Sequence, residues 1–137
     1  QVNTIDRITI TTGGNATDFG DRTIAKELTA ACSSATRGLF AGGQPNDDTI
    51  DFVTIATSGN ATDFGNLTAA KQGPSGLSSA TRGIFGGGYI SNDTNVIEFV
   101  TIANTGNGTD FGDLTVARYI MGACGSTTRG IFSGGLT

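Results

Sequence analysis

The sequence predicts an all-β protein built from three copies of one repeat. A phrase of Thr-Arg-Gly, an aliphatic residue, Phe and a later glycine doublet begins at Thr36, Thr81 and Thr128, with spacings of 45 and 47 residues. Periods of this length are typical of repeat architectures. An apolar run that ends in glycines is typical of a short strand followed by a turn. We expect ten short strands in all and no helix longer than about one turn.

The composition excludes several classes of function. The chain has 137 residues, a net charge of −4, and neither His nor Trp. An acidic chain is a poor partner for nucleic acid, and no apolar run approaches the roughly 18 residues that cross a membrane. Without His, the commonest general base and metal ligand are missing. We therefore expect one domain-sized segment with no catalytic residue, no metal and no cofactor.

Each repeat contains a β-branched segment that we interpret as a strand, at residues 5–10, 50–55 and 97–102. A Gly-Asn pair follows at a constant offset, and we expect it to supply the positive φ of a tight hairpin turn. A Thr-Asp-Phe-Gly segment comes next and is predicted to be a short strand at the edge of its sheet. The acids of this segment are Asp18, Asp63 and Asp110.

Runs of small residues at 29–35, 75–80 and 121–127 are predicted to be strands in a place where space is tight. A helix is the alternative in the first repeat, but Pro74 and the glycines at the matching positions argue against it. We expect these strands to lie innermost and the Asp-Phe-Gly strands outermost, so that Leu at Ala31 or Ala123 would overpack the centre. Cys32 and Cys124 occupy the same position of two repeats and are expected to be buried free thiols.

Four short strands in 45 to 47 residues are typical of one blade of a β-propeller. At this point the chain resembles the kelch family over its whole length. The glycine doublets match the end of the second kelch strand, a basic residue precedes the inner strand, and Phe replaces both signature aromatics. The matching residues are Gly42, Gly43, Gly87, Gly88, Gly134 and Gly135 for the doublets, Phe52 and Phe99 for the kelch tyrosine, Phe19, Phe64 and Phe111 for the tryptophan, and Lys26, Lys71 and Arg118 for the basic residue.

The chain also looks like the Gly-, Thr- and Asn-rich kelch-type repeats of marine bacteriophage structural and tail-associated proteins. The resemblance implies a single propeller segment, 1–137, with repeat units at about 1–43, 44–88 and 89–135. The segment opens with the third and fourth strands of a blade and ends with a first and second strand. Because propellers typically have about four to eight blades, we expect completion by another copy or by further blades of a longer chain.

Most charged residues recur in every repeat, which favours structural roles because a catalytic site is usually made once. We expect the recurring charges to form internal ion pairs or turn anchors, and each repeated arginine to meet a carboxylate or backbone carbonyls. A ring of carboxylates that binds a cation is the alternative. The recurring sets are Arg37, Arg82 and Arg129; Lys26, Lys71 and Arg118; Asp6, Asp51 and Glu98; and Asp18, Asp63 and Asp110.

The repeats differ in length in one place only, the loops 44–49 and 89–96. Variable loops on a rigid scaffold are where binding specificity is usually located, although solvated turns would look the same. Calcium could be held by the Asp and Asn oxygens, but no known calcium-loop spacing supports it. The candidate binding residues are Asp47, Asp48, Tyr89, Asn92 and Asp93.

We therefore expect a non-catalytic structural and interaction module, a kelch-like propeller on a phage virion or tail, with a virion or extracellular location. The expected partners are other copies of the chain, other virion proteins, or a host-surface glycan or protein. The alternative is a carbohydrate- or protein-binding propeller domain that uses the loops 44–49 and 89–96. An enzyme of the galactose-oxidase kind ranks third, since its copper site needs His as well as Tyr.

Overall fold

The computed structural model describes residues 1–137, and every regular element in it is a β-strand. The twelve strands are β1 (Thr4–Arg7), β2 (Thr17–Asp21), β3 (Ala30–Ser33), β4 (Arg37–Ala41), β5 (Asp47–Thr54), β6 (Thr62–Lys71), β7 (Ser75–Ser78), β8 (Arg82–Gly86), β9 (Val96–Thr101), β10 (Thr109–Asp113), β11 (Gly122–Gly125) and β12 (Gly130–Ser133). The all-β prediction is confirmed. The predicted count of ten strands is wrong, because all twelve of the repeated segments find an antiparallel partner.

The strands form four antiparallel sheets in chain order. Two have four strands, β3-β4-β5-β6 and β7-β8-β9-β10, and two have only two strands, β1-β2 and β11-β12. The pairing register repeats from sheet to sheet, since Cys32 lies opposite Leu39 just as Leu77 lies opposite Ile84. In sequence, β1-β2 corresponds to the second half of a four-stranded sheet, and β11-β12 corresponds to the first half. The chain therefore has a half-sheet at each end.

The glycine doublets turn the chain at the end of β4, β8 and β12. Gly42 and Gly87 both have a φ of 66°, and Gly134 has a φ of 67°, a left-handed conformation that favours glycine. The Gly42 N–H donates to the Thr49 carbonyl at 3.1 Å, which closes the turn into β5. Each doublet thus fixes where the following loop begins.

The small-residue strands β3, β7 and β11 lie next to one another, at the edges opposite to the Asp-Phe-Gly strands. Ser78 Oγ donates to the Ser33 carbonyl at 2.6 Å, which joins β7 to β3. A side chain at Gly76 would overlap the backbone of Ala31. The tight point is therefore Gly76, and the expected overpacking at Ala31 is not supported because the Ala31 side chain is exposed.

The hydrophobic core lies between the two four-stranded sheets. β-Branched and aromatic residues alternate along these strands, so that one face of each is buried. Phe85, Val100 and Ile102 from the second sheet pack with residues of the first in one cluster. The first-sheet members are Ala30, Leu39, Ala41, Ile50, Phe64 and Leu67.

Candidate functional site

A buried ion pair joins the two four-stranded sheets. Lys71, at the end of β6, places Nζ 2.5 Å from Glu98 Oε1 on β9, and both side chains are almost wholly buried. The other carboxylate oxygen, Oε2, accepts a hydrogen bond from the Thr68 N–H at 2.6 Å. A buried charge is tolerated only when it is paired and hydrogen-bonded, so these residues serve the contact between sheets.

A second buried pair joins the half-sheet β1-β2 to the first four-stranded sheet. Arg22 Nε lies 3.0 Å from Asp51 Oδ2, and Thr23 Oγ1 donates to Asp51 Oδ1 at 2.6 Å. The remaining guanidinium nitrogens of Arg22, Nη1 and Nη2, are buried without a hydrogen-bond partner. Asp51 pairs with Arg22 and not with Lys26, the residue aligned with Lys71. Lys26 Nζ instead donates to the Pro45 carbonyl at 2.9 Å.

The three repeated arginines do not have equivalent partners. Arg37 Nη1 donates to the carbonyls of Ile102 and Ala103 at 2.9 and 3.0 Å, and its guanidinium lies over the Phe52 ring. Arg82 is exposed and lies over the ring of Phe99, without an ion pair.

Arg129, in the last half-sheet, is exposed and has no strand beside it on that edge. The expected carbonyl contacts are therefore present at Arg37 alone among the three.

The acids of the Asp-Phe-Gly strands differ from expectation. Asp18, Asp63 and Asp110 are all exposed and form no ion pair, because strand alternation points each of them to the face opposite the adjacent phenylalanine, which is buried at Phe19 and Phe64. Asp110 Oδ1 accepts a hydrogen bond from the Gly112 N–H at 3.0 Å, which is a local turn contact.

Two of the three Gly-Asn pairs also differ from expectation, because Gly59-Asn60 and Gly106-Asn107 link sheets and lack the positive φ that Gly14 has. Gly59 does not have a positive φ; its N–H donates to the Phe19 carbonyl at 2.7 Å, and Asn60 Oδ1 accepts from the Asp21 N–H at 3.0 Å. The same contacts recur one repeat later. There the Gly106 N–H donates to Phe64 at 2.8 Å, and Asn107 Oδ1 accepts from Asn66 at 3.0 Å.

The glycine of each Asp-Phe-Gly strand makes room for this docking. Gly20 and Gly65 have φ of 148° and 147°, and a side chain at either would overlap the carbonyl of Gly59 or Gly106. Gly112, with a φ of 144°, has nothing near its side-chain position. The outer edge of β10 therefore has the same glycine as β2 and β6 but no Gly-Asn loop beside it.

The structure brings the two variable loops together. Asn46 Nδ2 donates to the Ile90 carbonyl at 2.5 Å, and the backbone of Tyr89 pairs with both Gln72 and Asp93. Asn92 is exposed and Asp93 is half-buried. These contacts therefore place residues of both variable loops near one another at the surface.

Asp47 and Asp48 contribute less to this face than the sequence indicates. Asp47 is half-buried, and its Oδ1 accepts from the Thr49 N–H and hydroxyl at 3.3 and 3.0 Å. Its Oδ2 lies 3.9 Å from Lys26 Nζ. Asp48 is half-buried within β5. The carboxylate of Asp47 thus faces Thr49 and Lys26.

Both cysteines are free, but their environments differ. Cys32 is half-buried, and desolvation raises the pKa of its thiol to about 12, against a smaller lowering by a backbone hydrogen bond from Ile84. Cys124 is exposed, contrary to the expected burial, because no sheet covers its side of β11.

A cleft of about 540 Å³ lies between β1 and the first four-stranded sheet. Its walls are mostly apolar and include Ile8, Phe40, Val53 and Ile55. Sequence reasoning did not find this cleft. A signal was available, since β1-β2 lacks the two strands that precede its counterpart β5-β6.

No His, Cys, Asp or Glu residues cluster in a group of three or more that could hold a metal ion. The structure has no helix that is long and apolar enough to cross a membrane. No protein-family model matches the sequence, and a comparison with curated proteins finds no significant match.

Proposed function

We propose that residues 1–137 form a non-catalytic structural and interaction module, a segment of a kelch-like β-propeller in which each four-stranded sheet is one blade. We further propose that it belongs to a phage virion or tail. The observation that carries the proposal is the repeated set of polar contacts between successive sheets. The pairs Arg22–Asp51 and Lys71–Glu98, together with the docked Gly-Asn loops, join β1-β2 to the first four-stranded sheet and the first four-stranded sheet to the second.

The aromatic residues support the kelch resemblance. Phe52 and Phe64 form a T-shaped pair with ring centroids 5.9 Å apart, and Phe99 and Phe111 repeat it at 6.0 Å. These are the positions that match the signature tyrosine and tryptophan of kelch. Edge-to-face pairs of this kind contribute about 0.5–1.5 kcal/mol beyond their burial, so the same contact stabilises both four-stranded sheets.

The virion assignment is tested by immunoelectron microscopy on phage whose genome encodes this sequence. Antibodies against residues 1–137 should label particles at the tail or another fixed position. Label confined to free protein in the lysate would contradict the assignment. The non-catalytic assignment is tested by copper analysis of the purified chain, and stoichiometric copper with oxidase activity would overturn it.

A carbohydrate- or protein-binding domain is the second candidate, favoured by the contact between Asn46 and Ile90 that joins the two variable loops. We expect binding on a glycan array to be lost in an Asn92→Ala, Asp93→Ala variant and kept in Asp63→Ala, which lies on an exposed outer strand. Equal binding by both variants would place recognition elsewhere. An array without any bound glycan would favour the scaffold over this candidate.

A further inference from the structure

Equivalent apolar residues are buried inside the molecule and exposed at its two ends. In β5 Val53 is 6% exposed, whereas Ile8, which follows β1 at the same repeat position, is 63% exposed. Leu39 in β4 is fully buried, whereas Ile131 in β12 is 60% exposed. The uncovered residues lie at β1 and β12, whose counterparts β5 and β4 pair with each other inside a four-stranded sheet, whereas β1 and β12 each have one edge without that partner. Exposed apolar surface on an unpaired strand edge is typical of an interface.

The docking contacts between sheets show the same asymmetry. Phe64 is 2% exposed beneath the loop of Gly106, whereas Phe111 is 52% exposed and Gly112 has an empty space beside it. The Gly14-Asn15 loop at the start of the chain is exposed and reaches no preceding sheet. At one end of the chain, Gly112 on β10 has no Gly-Asn loop beside it. At the other end, the Gly-Asn loop between β1 and β2 contacts no sheet.

The charges are complementary across the same two ends. Asp51 and Glu98 are fully buried in ion pairs, whereas Asp6, at the same repeat position, is exposed and unpaired. Arg118 stands at the repeat position of Lys71 and has no carboxylate partner. A carboxylate at one end and a guanidinium at the other therefore lack the partners that their counterparts have.

Arg22 gives an independent indication of a missing neighbour. It occupies the repeat position of Leu67, which approaches Gly42 of its own sheet. No glycine doublet lies beside β1-β2 to contact Arg22 in the way that Gly42 contacts Leu67. Nη1 and Nη2 of Arg22 are buried without acceptors. Gly134, the corresponding doublet residue at the other end, has nothing near its side-chain position.

We infer that these surfaces bind a second copy of the chain, with β11-β12 of one copy and β1-β2 of the other forming a composite four-stranded sheet. The register of β4 and β5 then places Gly130 opposite Ile8, and Phe132 opposite Asp6, of the second copy. Two copies related by two-fold symmetry close a ring of six sheets with two such seams. The cleft of about 540 Å³ is filled by β11-β12 of the second copy.

This inference rests on the propeller arrangement proposed above but not on the virion assignment. If the chain is a dimer but antibodies do not label phage particles, the virion assignment is wrong and the seam stands. If the chain is a monomer and antibodies do label the particles, the seam is wrong and the virion assignment stands. Further repeats of a longer polypeptide are the other possible occupant of the edges, and the experiments below separate the two.

A charge exchange tests the seam. We expect residues 1–137 to sediment at twice 13.9 kDa, and both Asp6→Arg and Arg118→Glu to sediment as folded monomers. The double variant Asp6→Arg, Arg118→Glu restores an ion pair of reversed sense and should restore the dimer. Circular dichroism checks folding. Asp6 is exposed, so Asp6→Arg should leave the fold intact. Arg118→Glu also removes hydrogen bonds to Met121 Sδ and the Phe132 carbonyl, so recovery of the dimer in the double variant separates a lost seam from a lost fold.

A cross-link tests the geometry. Within the chain, an added Cβ at Gly83 would lie 2.7 Å from Cys32 Sγ, so Gly83→Cys should form an internal disulfide on oxidation by diamide. Gly38 stands at the repeat position of Gly83, and Cys124 stands at that of Cys32. In the inferred dimer, Cys124 of one copy therefore faces Gly38 of the other. Gly38→Cys in a Cys32→Ser background should therefore give a covalent dimer on a denaturing gel, while Gly83→Cys runs as a monomer.

Thiol accessibility completes the test. At the seam Cys124 is covered by the second copy, so its reaction with an aromatic disulfide reagent should be at least about tenfold slower in the wild type than in Asp6→Arg. A wild-type monomer at all concentrations, with Cys124 fully reactive and no Gly38→Cys cross-link, overturns the inference and assigns the edges to further repeats in a longer polypeptide.

Discussion

At the scale of single residues, the buried pair Lys71–Glu98 gives the clearest expectation. Glu98→Ala leaves the Lys71 ammonium buried without a counter-charge, and we expect it to lower the free energy of unfolding by about 3–5 kcal/mol. Replacing both partners, as Lys71→Met with Glu98→Leu, removes the uncompensated charge and should cost much less. Urea denaturation measures both. Asp63→Ala is the matched control, since an exposed acid should change stability by no more than about 0.5 kcal/mol. Equal losses in the single and double variants would contradict the buried-pair argument.

Cys32 makes stability depend on pH in the alkaline range. Its pKa is raised from 9.0 to about 12, so between these values the folded thiol keeps a proton that the unfolded thiol has lost. The folded state binds more protons there, and stability falls as pH rises through this window. We expect Cys32→Ala to flatten the fall measured by urea denaturation between about pH 9 and 11. The same slope in wild type and variant would show that another group is responsible.

At the scale of the strands and loops, the docked Gly-Asn loops explain why the Asp-Phe-Gly glycine is needed. Gly65→Ala forces a side chain at a φ of 147° into the Gly106 carbonyl, and we expect a loss of at least about 2 kcal/mol. Gly59→Ala is the control, because its side-chain position is open and its φ is not positive. Thermal unfolding compares the two. Similar melting temperatures would show that the docked loop can move aside.

The strands and the doublet turns were predictable from sequence because they depend on neighbouring residues. The apolar runs around Phe40 and Phe85 and the glycines after them carry that local signal. The docking of Gly59 was not predictable, since its hydrogen-bond partner is Phe19 in another sheet. Arg22 was missed for a similar reason, because it replaces the apolar Leu67 and does not recur. The exposure of Asp18 follows from strand alternation and could have been deduced beside the buried Phe19.

At the scale of the whole molecule, one residue of the inferred seam departs from the repeat. Arg37 and Arg82 lie over Phe52 and Phe99, with 4.6 and 4.7 Å from the guanidinium carbon to the ring centroid. Arg129 of a second copy would instead face Arg7. Arg7→Phe supplies the missing ring, and a cation–π contact should lower the dimer dissociation constant by about 2- to 5-fold per seam. Sedimentation equilibrium measures it, with Arg7→Leu as the control for lost repulsion. A Leu variant that gains as much as Phe would show that the ring contributes nothing.

The loop between the glycine doublet and the next strand also shows where the fold accepts extra chain. That loop spans residues 44–49 in the first repeat and 89–96 in the second. The doublet turn is the same in both, since the Gly42 N–H donates to Thr49 at 3.1 Å and the Gly87 N–H donates to Val96 at 3.0 Å. A peptide tag inserted between Ser91 and Asn92 would therefore extend a loop whose length already differs between repeats, and would leave the strands on either side in register.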